Sequence, residues 1–555
     1  MASLPTEELE LLRLNSLSAQ QEQVTTLLTL PEHLVGYIFS MLPRGQDQRA
    51  DRRALFTCCK TLHGAKSIHA QFSELTIYAH QLHISRSNPF LCFPSGARLR
   101  KMVLESLLME RAPYSGHLLA QFLQPTNADA QLKVMSALKD LEEIHFVDFP
   151  LDEEDAEEVG TLLSHNSCLR TVAVKDLSYF TGAFAPFFMA FTTPGCKRGL
   201  EVITYNMKHF FDEEGPARQP IRTIEAISKL ESLQALTLLL PGFEEDPEMV
   251  QRFAPIGSLT QLRSLTIEDE RYSHIMHRSQ QQDLSKIVEQ MRSLQYLQMP
   301  QLPRGPVLAA LPETIEHIVV RQGCDDADDF CISLTGIASR IDHLPNLRTI
   351  DVDWFKFGEG WNGDCSGLSH AVSALSHLHI GLKNINCTSS FDGLLSFLSH
   401  TKAIAKSVMV VNLLISDPAS ASAANYKQLG ELCPNLTCLN GIFMLEYLEN
   451  LFEAHHLSSL KELYLEFNLS PKPGEVGGIA HKLLGLAVAM SAKKAPPLEI
   501  KIVYERYGLS QQELLCISRE IDQLERLCSS TNQALRQLSC EFCEVRVQFF
   551  AVGPL

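Results

Sequence analysis

A short apolar pattern recurs along the chain from Leu141 onwards and predicts its strands. Each copy has an aliphatic residue, two further residues, a second apolar residue, one residue and a third apolar residue. The last two apolar positions are two apart, so they share one face of a strand. The first nine copies start 21 to 33 residues apart, and such self-similarity is typical of a solenoid. The copies begin at Leu141, Leu169, Leu200, Leu233, Leu262, Leu294, Ile315, Leu347, Leu375, Leu436, Leu460 and Leu535.

A segment with helical character separates successive copies, for example at residues 152–169 and 280–294. A strand–loop–helix unit cannot bury both of its elements alone, and stacked neighbours supply the shared core. The acidic clusters at 152–155, 244–246 and 325–329 lie where such helices would begin, and negative charge there stabilises the helix dipole. We therefore interpret them as helix starts and not as metal sites.

The repeating unit resembles an array of long, irregular leucine-rich repeats. The resemblance implies an α/β solenoid over residues 136–555, in which the atypical last part forms a C-terminal cap. Residues 76–135 carry TIYAHQLHI and RKMVLESLLMERA, and we interpret them as a transition segment that leads into the array.

An aromatic, glycine-rich stretch, DWFKFGEGWNGDCS, interrupts the array after the strand predicted at Leu347. Loops that follow the strands of a solenoid lie along one edge and often carry its binding function. Exposed aromatic side chains in such a loop would form a recognition hot spot, which predicts a target-binding site at Trp354, Phe355, Phe357 and Trp361. The alternative is that both tryptophans fill the core beneath a long loop.

Residues 30–75 predict three short helices ahead of the array, with residues 1–29 as a flexible arm. Leu30-Pro31 opens the first helix, because proline is well placed at a first helical position. Its apolar stripe continues at Leu34, Ile38 and Leu42, before Pro43-Arg44-Gly45 ends it. The second helix carries Leu55, Cys58, Cys59 and Leu62, and the third carries Phe72 and Leu75.

This stretch resembles an F-box, a small all-α domain. Leu30-Pro31 matches the family's Leu-Pro opening, Asp51 opens the second helix, and Cys58-Cys59-Lys60-Thr61-Leu62 stands at its Val-Cys-basic-x-Trp run. Leu62 in place of Trp, Arg52 in place of Leu and a longer loop after the first helix depart from that pattern. The resemblance places adaptor-binding residues at Leu30, Pro31, Leu34, Ile38, Leu42, Leu55 and Cys59.

Together the two resemblances imply a substrate receptor of a Skp–cullin–F-box ubiquitin ligase. The F-box would bind a Skp-family adaptor and through it a cullin, and the solenoid would hold an unknown target protein. The alternative is a leucine-rich-repeat interaction scaffold without a ubiquitin role, in which the N-terminal helices cap the array. The two differ in whether the apolar residues of the first helix are exposed or are buried against residues 76–135.

The net charge and the absence of known motifs argue against several classes of function. The chain has 48 Lys and Arg against 65 Asp and Glu, a net charge of −17, which argues against general nucleic-acid binding. It contains no nucleotide-binding, hydrolase or kinase motif, so we expect no catalytic residue, cofactor or metal. Its 15 cysteines are scattered, as expected of buried thiols, and Cys540-x-x-Cys543 lacks a second ligand pair for zinc. Without a long apolar run or a signal peptide, we expect a cytoplasmic or nuclear protein that does not bind membranes.

Overall fold

The computed structural model describes the greater part of the chain between Glu74 and Val552, with gaps. The described residues form two compact units, which divide the chain at Leu233 and Gln234. The described ranges are 74–79, 88, 90–91, 98–106, 115–149, 151–175, 184–196, 199–206, 218–240, 249–269, 278–321, 327–357, 366–388, 390–413, 422–442, 459–467, 499–505, 512, 519, 522–523, 526, 529 and 546–552.

The first unit contains five described strands that pair in parallel, each with the next along the chain. The strands are β1 (Glu74–Tyr78), β2 (Lys101–Glu105), β3 (Glu143–Val147), β4 (Thr171–Lys175) and β5 (Val202–Asn206). The helices are α1 (Ser115–Leu123), α2 (Ala128–Leu138), α3 (Glu153–Ser164), α4 (Phe184–Ala190) and α5 (Arg218–Ile227). Because parallel strands need a crossover, a helical segment is expected between neighbouring strands.

The core of the first unit lies between the strands and the helices. In β3, Ile144 and Phe146 are fully buried, whereas Glu143 and His145 on the opposite face are partly exposed. The ring of Phe146 lies 5.4 Å from the rings of both Phe184 and Phe187 of α4, in edge-to-face geometry. The apolar pattern therefore faces the helices, and the alternate residues face solvent.

The first acidic cluster caps a helix, as predicted. Helix α3 begins at Glu153, and Asp152 is its N-cap residue, whose carboxylate accepts a hydrogen bond from the Asp155 backbone N–H at 2.8 Å. The cluster at 244–246 lies outside the described residues, and a helix of the second unit begins at Ala327 within the cluster at 325–329.

The second unit continues the same architecture with eleven described strands, again parallel and paired in chain order from β6 to β16. The strands are β6 (Ala235–Leu240), β7 (Ser264–Asp269), β8 (Tyr296–Met299), β9 (His317–Val320), β10 (Thr349–Phe357), β11 (His379–Cys387), β12 (Val410–Leu413), β13 (Cys438–Ile442), β14 (Glu462–Phe467), β15 (Glu499–Glu505) and β16 (Arg546–Val552). The helices are α6 (Met249–Arg252), α7 (Arg278–Gln290), α8 (Gly305–Ala310), α9 (Ala327–Ser339), α10 (Ser366–Ala374), α11 (Phe391–His400), α12 (Lys402–Ala405) and α13 (Ala423–Leu432). The chain is an α/β solenoid, as the pattern predicts.

In the second unit, the pairing of neighbouring strands is offset along the strand direction at β10 and β11, and this offset is here called the step. Each of these strands has nine residues, whereas β9 and β12 have four. Strand β9 pairs only with the first half of β10, and β12 pairs only with the second half of β11. Both long strands carry the apolar pattern twice, in β10 as Ile350, Val352, Phe355 and Phe357, and all four side chains are fully buried.

The step leaves part of the edge of β11 without a neighbouring strand, and a serine side chain supplies a hydrogen-bonding partner there. The Ser407 hydroxyl follows α12 and accepts a hydrogen bond from the Leu382 backbone N–H at 2.8 Å. The Met409 N–H donates to the Lys383 carbonyl at 2.9 Å, so regular pairing resumes directly afterwards. Leu382, in the first half of β11, thus keeps a hydrogen-bonding partner on the side where β12 does not pair with it.

The array begins earlier than the sequence pattern predicts. Leu75, expected in a third helix, lies in β1, where Leu75 and Ile77 are buried. The segment 76–135, expected as a transition, contains β2 with Met102 and Leu104 buried. The reason is that Leu99-x-x-Met102-x-Leu104 is a full copy of the pattern with methionine at one position.

The copy assigned to Leu375 is wrong by two residues. Strand β11 begins at His379, and its Ile380 and Leu382 pair with Ile350 and Val352 of β10. The error arises because Leu375 and Leu378 are apolar and buried too, as the end of the preceding crossover packs against the core. The copy at Leu535 lies outside the described residues, whereas Leu439 and Leu463 occupy β13 and β14 as predicted.

A close contact between α3 and α4 leads to a stability prediction. A methyl group at Gly160 would lie 2.8 Å from the Cα and carbonyl oxygen of Phe187, which are backbone atoms. Gly160→Ala should therefore destabilise the protein by about 1 to 3 kcal/mol, although alanine alone would favour the helix by about 1 kcal/mol. Urea denaturation of the intact chain measures the change.

The matched control is Gly195→Ala, because a methyl group there meets no atom within 4 Å. This control should be neutral or stabilise the chain by up to about 1 kcal/mol. An unchanged or raised urea midpoint for Gly160→Ala would contradict the tight packing of the two helices.

Candidate protein-interaction surface

In the second unit, the face of the sheet that lies away from the helices carries polar and charged side chains. On β10, Ile350 and Val352 are fully buried, whereas Asp351 and Asp353 between and after them are partly exposed. On β11, Ile380 and Leu382 are buried, whereas His379 and Lys383 are exposed. This outer face of β9 to β13 is the candidate interaction surface.

The sequence-based prediction of target-binding aromatics at Phe355 and Phe357 is wrong. Both side chains are fully buried, and Phe355 stacks on Phe397 of α11 at 5.3 Å and contacts Phe330 of α9 at 5.2 Å. The residues are strand and not loop, and their alternation places them on the helix side. Val352-x-x-Phe355-x-Phe357 repeats the apolar pattern, a signal in the sequence that could have shown this.

The structure describes one of the two tryptophans that were predicted to bind a target. Trp354 lies in β10 and is partly exposed, next to the buried Phe355. Trp361 lies outside the described residues. A target-binding role for Trp354 thus stays a prediction.

An ion-pair cluster, here called the clamp, consists of Arg321, Asp353 and Lys383 on three neighbouring strand positions. The Arg321 guanidinium donates to one oxygen of the Asp353 carboxylate, and Lys383 Nζ donates to the other at 2.7 Å. Partial burial alone would raise the pKa of Asp353, but the hydrogen bonds from Lys383 and Arg321 outweigh it and lower that pKa. The carboxylate is therefore ionised at neutral pH and fixes two cationic groups beside each other.

Exposure differs within the clamp. The Asp353 side chain is 15% exposed, whereas the side chains of Arg321 and Lys383 are 50% and 49% exposed. The anion is covered and the cations reach solvent. Since a guanidinium has five N–H donors and an ammonium three, both cations keep donors for a further acceptor.

Near β7 and β8, the polar side chains of the outer face form hydrogen bonds largely with one another. The Tyr296 hydroxyl donates to Gln298, and the Gln298 amide donates to Glu268, each at 2.7 Å. His317 Nδ1 lies 2.9 Å from the Thr349 hydroxyl. Burial, the largest effect, raises the pKa of Tyr296. This part of the face has fewer free donors to offer than the clamp.

Three asparagines form a ladder across β11, β12 and β13. Asn440 Nδ2 donates to Asn412 Oδ1, and Asn412 Nδ2 donates to Asn386 Oδ1. The three residues face each other in register, and all are partly exposed. The ladder holds the amides of neighbouring strands in one orientation and uses only one N–H of Asn412 and one of Asn440.

Several predicted sites lie outside the described residues. These are the adaptor-binding residues Leu30, Pro31, Leu34, Ile38, Leu42, Leu55 and Cys59. Cys540 and Cys543, where the sequence predicts no zinc site, lie outside the described residues too. Cys387, Cys433 and Cys438 are buried, and burial raises the pKa of the Cys433 thiol to about 12. Within the described ranges, no group of three or more His, Cys, Asp or Glu residues could hold a metal ion. No helix described by the structure is long and apolar enough to cross a membrane.

Comparisons with known proteins give structural likeness only. No protein-family model and no curated protein sequence matches the chain. The leucine-rich-repeat-containing protein LegL7 from Legionella pneumophila is 12% identical, covering 69% of this chain and 97% of LegL7, with a TM-score of 0.28. The yeast complex of Rad7 and Elc1 gives 12% identity over 84% of this chain and 93% of the matched chain, with a TM-score of 0.31. Neither likeness assigns a partner or an activity to this chain.

The burial of Phe355 predicts a large loss of stability on truncation. Phe355→Ala should destabilise the chain by about 3 to 5 kcal/mol, because it leaves a cavity between α9, α11 and the sheet. Lys356→Ala, one residue further on the outer face, should change stability by about 0.5 kcal/mol or less. Urea denaturation compares the two variants, and similar small effects would place Phe355 outside the core.

The clamp predicts a pH-dependent contribution of Asp353. Because the folded-state pKa is lowered, the ion pairs stabilise the chain above the pKa of an unfolded aspartate, about 4, and this contribution is lost as pH falls through the folded value. Asp353→Asn should cost about 1 kcal/mol or less at pH 7, since the cations are half exposed. Urea midpoints measured from pH 7 down to pH 3 should converge for the two proteins. A constant gap over that range would contradict the lowered pKa.

Proposed function

We propose that the chain is the substrate receptor of a Skp–cullin–F-box ubiquitin ligase. Residues 30–62 bind a Skp-family adaptor, and the outer face of β9 to β13 holds a target protein. The resemblance of Leu30-Pro31, Leu34, Ile38, Leu42 and Cys59 to an F-box supports the adaptor role. The observation that supports target binding is the clamp, which holds two half-exposed cations on a rigid sheet.

The solenoid fold suits an interaction scaffold whatever the adaptor is. Strands that pair over many units present a long, rigid array of outer side chains, and such arrays serve as extended binding surfaces. In the proposed complex the chain forms and breaks no covalent bond. It raises the effective concentration of the target near the ubiquitin-carrying enzyme.

The placement of Leu75 favours a second candidate function. In the F-box resemblance Leu75 ends the third helix, but in the structure it belongs to the first strand of the ladder. The helices predicted within residues 30–75 would then precede the array directly, and an end unit of a solenoid requires a polar cap. In this second candidate the chain is a scaffold without a ubiquitin role, and residues 30–62 cover the first strand–helix unit.

An adaptor pull-down separates the two candidates. The intact chain should retain a Skp-family adaptor, and the double variant Ile38→Asp, Leu42→Asp should lose it, because the apolar stripe of the predicted first helix then carries two charges. Binding should fall at least a hundredfold. The control variant Gln46→Asp, Gln48→Asp adds the same charges in the loop that follows and should bind as the intact chain does.

Circular dichroism and urea denaturation confirm that both variants fold. An intact chain that binds no Skp-family adaptor would contradict the ligase role and favour the scaffold. Equal loss in both double variants would mean that charge, and not the apolar stripe, governs binding.

A further inference from the structure

The clamp belongs to a row of outer side chains that crosses six neighbouring strand positions. Each of the six positions contributes one residue, and the six residues lie side by side. Their alignment follows from the register of the strands and from the backbone hydrogen bonds of Met409, Thr437 and Lys461. The row runs Arg321, Asp353, Lys383, Met409, Thr437, Lys461. Its charges are two cations held by one anion, then an apolar and a neutral polar residue, then a third cation.

The members of the row are accessible within the described structure. Met409 is 45% exposed. Lys383 and Lys461 are exposed, and Thr437 is partly exposed. Methionine adapts its shape to an apolar partner, so Met409 offers an apolar contact between two positive positions.

Charge complementarity identifies the partner chemistry. The clamp carries two positive charges against one negative, and Lys461 adds another positive charge, although the chain as a whole carries −17. A partner carboxylate can bind the free N–H donors of Arg321 and Lys383 from outside, in the way that Asp353 binds them from beneath. The clamp already binds one carboxylate, that of Asp353, so a carboxylate is the acceptor that we assign to the partner.

The spacing of the row matches an extended peptide. Neighbouring strands lie about 4.8 Å apart, so Lys461 lies about 14 Å from Lys383 along the row. In an extended chain, side chains on the same face recur about every 6.8 Å, which places every second residue in line with the row. With the first acidic residue at Lys383, an apolar residue two positions later lies about 7 Å along the row, between Met409 and Thr437, and an acidic residue four positions later lies about 14 Å along the row, at Lys461.

We propose that this row binds an extended segment of a protein partner with the pattern acidic–x–apolar–x–acidic, lying across the strands. The proposal rests on the target-binding role of the solenoid and names the class of segment recognised. The clamp preorganises the two cations, since Asp353 holds them in place before the partner arrives. Binding therefore weakens with ionic strength, because the cations are half exposed and screened by salt.

A phage-displayed library of random 12-residue peptides, selected on the intact chain, tests the pattern. Enriched peptides should carry Asp or Glu four positions apart with Leu, Met or Phe midway between them. Enrichment of peptides without acidic residues, or no enrichment at all, would overturn the proposal.

Synthetic copies of an enriched peptide then locate the site by fluorescence anisotropy. The triple variant Arg321→Gln, Asp353→Asn, Lys383→Gln removes the clamp without leaving a lone buried charge and should weaken binding at least tenfold. Lys461→Glu should weaken it similarly. Arg292→Gln, an exposed arginine in the turn before β8, should change the affinity less than twofold. Equal affinities for the triple variant and the intact chain would overturn the assignment.

Changes in the peptide test the chemistry. Gln in place of the first acidic residue should cost at least tenfold, and phosphoserine there should bind no more tightly than Glu. Phosphoserine that binds tenfold more tightly would replace the carboxylate assignment with phosphopeptide recognition. The triple variant should still retain the Skp-family adaptor in the pull-down, so loss of peptide binding and loss of the adaptor role give separate results.

Discussion

The structure depends on the fact that no strand–helix unit buries its own apolar faces. Phe355 of β10 shows this directly, since its ring lies against Phe330 of the helix before the strand and Phe397 of a helix further along the chain. Each unit supplies half of a core that its neighbour completes. Parallel pairing between consecutive strands keeps these halves in register, and it also fixes the side chains of the opposite face in rows. The same constraint therefore produces both the core and the surface.

The step in the ladder at β10 and β11 determines where that surface differs from a regular array. Because both strands carry the apolar pattern twice, two outward residues follow each third apolar position, and Asp353 is one of them. Asp353 thus lies beside Lys383 of β11, while β9 ends at Val320 and presents Arg321 to the same carboxylate. The clamp is a product of the step, and the Ser407 hydrogen bond allows the step without an unpaired strand edge at Leu382.

The sequence pattern predicts most of the strands and the side of each strand that is buried. It misses β2, because Met102 stands at an aliphatic position, and it misses β12, whose copy Val408-x-x-Val411-x-Leu413 begins with Val where the predicted copies begin with Leu or Ile. It also misplaces β11, because the buried Leu375 and Leu378 imitate the pattern just before the strand. Because β11 is misplaced, the sequence pattern does not predict the clamp. Arg321, Asp353 and Lys383 each follow the third apolar residue of a copy, but the wrong register puts Gly381 in place of Lys383. The aromatic composition around Phe355 and Phe357 predicts a binding loop, whereas the alternation of apolar residues there predicts a strand with both side chains buried, as the structure has it.

The proposed division of the chain into an adaptor-binding segment and a target-binding solenoid is tested most directly by amide hydrogen exchange. The exchange is measured on the intact chain with and without a Skp-family adaptor. The account predicts that the adaptor slows exchange in residues 30–62 and leaves β9 to β13 unchanged. No slowing in residues 30–62, with those amides already protected in the chain alone, would contradict the account and identify the segment as a cap on the solenoid.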